Sequence, residues 1–153
     1  MRYLTAALCL LAMPATAEMK PRQGWSVLQT EKSFDQLLTD IGPAVQAQGM
    51  GIVTQAGPTE TARARGITIP GNRVIGVFNN VYAVRILGLS TAAMIEAPVR
   101  LYVTENPDDT ATLSYKTPTT VFAPYFDEGG PDLETAADEL DTIFEAIAES
   151  ATK

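Results

Sequence analysis

Nine polar side chains interrupt an otherwise apolar central stretch: Asn79, Asn80, Tyr82, Arg85, Glu96, Arg100, Tyr102, Tyr115 and Lys116. Their types suit recognition of a small anion. A guanidinium holds a carboxylate through two parallel hydrogen bonds, and a phenol adds a neutral donor. Tyr82 and Arg85 are three residues apart, the spacing that shares one helix face. Arg100 and Tyr102 are two apart and share one strand face, with a following hairpin expected to set Lys116 or Ser114 across from them. Each residue also has a purely structural reading. Asn79 or Asn80 would cap the helix that follows, Glu96 would pair with an arginine, and the tyrosines would rim the core. For proton transfer the groups to hand are Glu96 and the tyrosines, and the glutamate would need burial to raise its pKa.

The missing residue types exclude more than the present ones suggest. There is no histidine, and Cys9 is the only cysteine. Residues 1–17, MRYLTAALCLLAMPATA, have a lone Arg2, an apolar run from Leu4 to Met13 and the small residues Ala15-Thr16-Ala17. That three-part pattern reads as a secretory signal cut after Ala17, and its apolar run is too short to span a bilayer. Cleavage would carry Cys9 away. Residues 18–153 would then form a single exported domain, periplasmic or secreted, with no transmembrane segment. It would have no thiol nucleophile, Ser-His-Asp triad, His/Cys zinc site or His- or Cys-ligated haem. No phosphate-loop, calcium-loop or nucleophile-elbow motif occurs, so neither a cofactor nor a metal is implied.

The formal charge of −7 opposes binding to nucleic acid. It is unevenly placed. Residues 18–126 hold nine acids and nine bases, whereas the residues from Asp127 onward hold nine acids and only Lys153. Helical spacing explains those late acids as the outer face of an amphipathic helix.

Positioning these groups falls to elements that alternate. A strand around Trp25 to Thr30 precedes a helix whose Ser33 and Gln36 make a capping box and whose Phe34, Leu37, Leu38, Ile41 and Val45 form the apolar stripe. Gly42-Pro43 is expected to kink it before Gly49. A strand over 50–57 leads to a single-turn helix from Thr59 to Arg65, closed by Gly66. The nearly all-apolar run 73–79 predicts a strand buried on both faces, and 81–94 predicts a helix with little polar surface. Strands over 99–105 and 110–117 pair through the turn Asn106 to Asp109. Residues 118–130 read as loop. Gly130-Pro131 starts a last helix with proline at its first position and Leu133, Ala136, Ala137, Leu140, Phe144 and Ile147 as its buried stripe. This order predicts an α+β fold, an antiparallel-rich sheet with helices packed mainly on one face.

The run VIGVFNN, a helix, EAPVRLYV, a turn and a strand ending YKTP (Val74 to Pro118) resembles the family called domain of unknown function 302. Asn79, Pro98 and Pro118 match best. The resemblance implies an α+β fold related to the TATA-binding-protein type, often dimeric, with no established activity. Many members carry cysteine where Phe78 and Val99 stand here and proline where Asn80 stands, so a thiol-based role would not transfer. Three classes of function stay open. The first is a non-enzymatic module that dimerises, through the 81–94 helix or a sheet edge, and takes a small or apolar ligand. The second is an enzyme using Arg85 or Arg100 for binding and Glu96 or tyrosine for acid-base chemistry. The third is an interaction subunit of an envelope complex.

Overall fold

A computed structural model describes residues 19–153; the expected leader, 1–17, lies outside them. Five strands form one antiparallel sheet: β1 (Trp25–Thr30), β2 (Gly51–Ala56), β3 (Asn72–Phe78), β4 (Val99–Glu105) and β5 (Ala111–Lys116), in the order β1-β5-β4-β3-β2. The helices are α1 (Phe34–Ala47), α2 (Thr59–Ala64), α3 (Asn80–Leu89), α4 (Pro118–Phe122) and α5 (Phe126–Thr152). The architecture is α+β, as the sequence predicts.

Strand alternation decides which face is covered. Ile75, Val77, Leu101, Val103, Leu113 and Tyr115 are buried together with Leu37, Ile41 and Val45 of α1 and Leu133, Leu140, Phe144 and Ile147 of α5. Phe144 packs its ring 5.6 Å from that of Tyr115. On the other face the rungs read Trp25, Lys116, Arg100, Gly76 and then Val27, Ser114, Tyr102, Val74. β3 is therefore not buried evenly on both faces: Val74 is only half-buried, while Gly76 is covered by Pro98.

The local signals explain most element ends. Ser33 accepts from the Gln36 amide, but the Gln36 side chain runs forward to Asp40 instead of back to Ser33, so half of the expected capping box is replaced by a side-chain pair. α1 continues through Pro43. The expected helix over 81–94 stops at Leu89. Ser90 leaves the helical conformation, its hydroxyl accepts from the Ala93 amide and donates to Glu128, and a 3-10 turn over Ala93–Glu96 follows. The passage expected as loop is largely helical. Pro118 occupies the first turn of α4, and Thr117 caps it by accepting from the Thr120 amide. In α5 Gly130 (φ 60°) breaks the helical path, and the regular run begins at Pro131 as the sequence indicates.

Several acids of α5 do more than cover a solvated face. Asp141 accepts from the Thr119 amide at 2.8 Å and its hydroxyl at 2.6 Å, tethering α4. Glu139 tethers α3 and Glu128 the turn after it. At the far end of α5, carbonyls that lack helical partners accept from Thr30 Oγ1 and Lys32 Nζ. Among the described residues no cluster of acids is arranged for a metal, and no helix is long and apolar enough to cross a membrane.

Candidate ligand site

The structure divides the nine sequence candidates into two groups. Asn79 caps α3, its Oδ1 accepting from the Val81 amide at 2.8 Å and the Tyr82 amide at 3.2 Å, while its Nδ2 donates to the Gly49 carbonyl at 2.8 Å. Asn80, the first residue of α3, is not the cap. Tyr82 and Arg85 do share a face, and both donate to Glu139 Oε2, at 3.1 and 2.7 Å. Arg85, and secondarily the Tyr82 hydroxyl, hold the Glu139 carboxyl below its ordinary range; burial, followed by the hydrogen bond to Glu139, raises the Tyr82 phenol. Asn79 fastens α3 to the turn before β2, and Tyr82 and Arg85 fasten it to α5.

The second group lines a groove of about 600 Å³ over the sheet face opposite α1 and α5. Glu96, Arg100, Tyr102, Tyr115 and Lys116 border it. Arg100 and Tyr102 project from β4 as their alternation requires, and Ser114 stands opposite Tyr102. Because Leu101 faces Tyr115 in the antiparallel register, Arg100 falls beside Lys116. Glu96 is tied at one oxygen by the Tyr125 hydroxyl, 2.9 Å away, and has Arg100 4.0 Å from the other. That hydrogen bond, with desolvation and the glutamate's charge behind it, raises the Tyr125 phenol. Tyr115 borders the groove but sends its ring into the core against Phe144, and burial raises its pKa.

The groove also uses residues that the sequence did not single out: Trp25, Asn72, Val74, Thr120, Val121 and Pro124. Trp25 and Val74 follow from strand alternation once the sheet order is known. Thr120, Val121 and Pro124 belong to the passage expected as loop. Lys116 Nζ lies 5.9 Å, and the Arg22 guanidinium carbon 5.1 Å, from the Trp25 ring centre, within the usual reach of cation–π attraction. Asn72 donates to the Tyr102 hydroxyl oxygen, leaving the phenolic proton available to another acceptor.

The model of the family described as domain of unknown function DUF302 matches residues 26–151, most of the chain. The chain belongs to the DUF302 family. A crystal structure described as an uncharacterised conserved protein DUF302 from Bacillus stearothermophilus superposes with a TM-score of 0.75 at 16% identity, covering 86% of this chain and 100% of that one. At such identity the likeness concerns the fold. Among curated proteins nothing matches. In this DUF302 chain the best-matched positions have structural work: Asn79 caps α3, Pro98 seats its ring over Gly76, and Pro118 opens α4.

Proposed function

We propose that this chain is a small exported, non-enzymatic module that binds a small molecule in the groove and pairs with a second copy of itself. The groove carries the reading. Its volume lies in the range of small-molecule sites, and apolar walls with a few convergent polar groups are the usual makeup of such sites. Glu96, the nearest candidate for acid-base work, is already engaged at one oxygen by Tyr125, which suits it to fastening the rim.

Self-association is supported by α3. Val81, Val84 and Leu87 are 75%, 62% and 48% exposed at successive i+3 positions, making an apolar stripe on the surface. Export is supported by the leader pattern of residues 1–17. Native mass spectrometry of the full chain, expressed in its own host and recovered without refolding, tests the reading. The expected species is a dimer of the processed chain carrying a discrete extra mass. A clean monomer without an adduct would overturn both pairing and a retained ligand, and an unprocessed leader would overturn export.

A further inference from the structure

The groove's own charges point to the class of its ligand, given the small-molecule reading on which this inference rests. Lys116 and Arg100 stand side by side on adjacent strands, where like charges repel. Among the described residues Lys116 makes no ion pair, and Arg100 has only Glu96, at 4.0 Å, with Glu96 also engaged by Tyr125. Two cations against one carboxylate leave a net positive charge facing the groove, and the Arg22 guanidinium over Trp25 adds to it. One rung away Tyr102 keeps its proton free, because Asn72 occupies its oxygen as a donor. The start of the five-residue α4 borders the groove, but its amides are already taken, Thr119 by Asp141 and Thr120 and Val121 by Thr117, so they offer no cradle for a dianionic phosphate. The walls are apolar: Trp25, Val74, Val121 and Pro124.

We infer that the groove selects an amphiphilic monocarboxylate, its head held between Arg100 and Lys116 with the Tyr102 hydroxyl donating, and its body laid against Trp25 and Val121. A carboxylate there replaces the repulsion between the cations with two charge-assisted hydrogen bonds. Glu96, tied back by Tyr125, offsets one of the two cations.

Trp25 is the chain's only tryptophan, so its emission reports on this groove alone. The test titrates the purified full chain, processed as its host leaves it, with 3-phenylpropionate, 3-phenylpropanol and 3-phenylpropylamine. These share one body and differ in the charge of the head. The acid is expected to shift Trp25 emission saturably, with the alcohol weaker by about tenfold or more and the amine without effect. Arg100→Gln and Lys116→Gln, both at exposed positions, should each weaken the acid by about tenfold while leaving the far-ultraviolet circular dichroism unchanged. Equal binding of acid and alcohol, or an acid affinity indifferent to both substitutions, overturns the carboxylate assignment and leaves the small-molecule reading standing. A response to none of the three compounds also overturns it; the adduct seen or missed in the native mass spectrum then decides separately whether the groove holds any small molecule.

Discussion

Replacing Asn79 tests whether the turn after β3 is held by one side chain. Asn79→Ala removes an acceptor for two helix amides and a donor to the Gly49 carbonyl. Loss of a helix cap costs about 0.5–2 kcal/mol. The tie to Gly49 is solvent-exposed, which places it at the lower end of the hydrogen-bond range, about 0.5 kcal/mol. The two together predict a loss of about 1–2.5 kcal/mol. Asn79→Ser keeps a capping oxygen but cannot span to Gly49, so it should recover the larger share. Urea unfolding of wild type and both variants measures this, with the midpoint moving and the slope unchanged. The first turn of α3 also carries Tyr82, so fraying in the alanine variant should weaken the contact with Glu139. An alanine variant as stable as wild type, or a serine variant no better than alanine, would refute the reasoning.

Other substitutions probe the sheet, the core and the acid response. A methyl on Gly76 would stand 2.2 Å from Thr54 Oγ1 and 2.7 Å from Pro98 Cγ; the threonine can swing away but the ring cannot, so Gly76→Ala should cost about 1–3 kcal/mol in urea unfolding. Adding Thr54→Ala should recover little of that loss, and full recovery would locate the strain at Thr54 instead. Phe144 is fully buried against Tyr115, so Phe144→Ala should lose about 3–5 kcal/mol, and a cost below 1 kcal/mol would contradict its place in the core. Arg85 depresses the Glu139 carboxyl, so its contribution is fully present above the ordinary value of 4.5 and fades as pH falls through the lowered one. The stability difference between wild type and Glu139→Gln should accordingly shrink from pH 7 to pH 3, and growth toward acid would oppose this assignment.

Periodicity made the two long helices legible because their stripes are unbroken: Leu37, Ile41 and Val45 in α1, and Leu133 to Ile147 in α5, all reach the core. It failed where one residue overrides a run. Ser90 ends α3 by turning its hydroxyl to Ala93 and Glu128, and nothing in the apolar pattern of 81–94 marks that exit. Residues 118–130 looked like loop because Pro118, Pro124 and two glycines punctuate them. Proline in a first helical turn is compatible with helix, and a tether from Asp141, 22 residues away, supplies the missing amide partner. The candidate site suffered the same limit. Spacing placed Arg100 with Tyr102 and Tyr82 with Arg85, but only the sheet order separates the groove residues from those that fasten α3.

The sign of the whole chain is a poor guide to this groove, and the fold explains why. The acidic excess lies on α5, which packs on the sheet face opposite the groove. Packed layers stand roughly 10 Å apart, and the outward side chains of α5 extend further still, into solvent where salt screens them. Several of its acids are also spent on tethers to α3, α4 and the chain's own last lysine. The charged side chains that border the groove are Arg100, Lys116 and Glu96, whose local balance is positive although the chain carries −7, while Asp141, Glu145 and Glu149 of α5 bear on the groove through Tyr115. Removing the exposed acids Glu134 and Asp138 of α5 should leave the affinity for a carboxylate nearly unchanged, whereas Arg100→Gln should lower it sharply. A comparable response to both changes would show that the net charge governs binding and that the sheet does not separate the two fields.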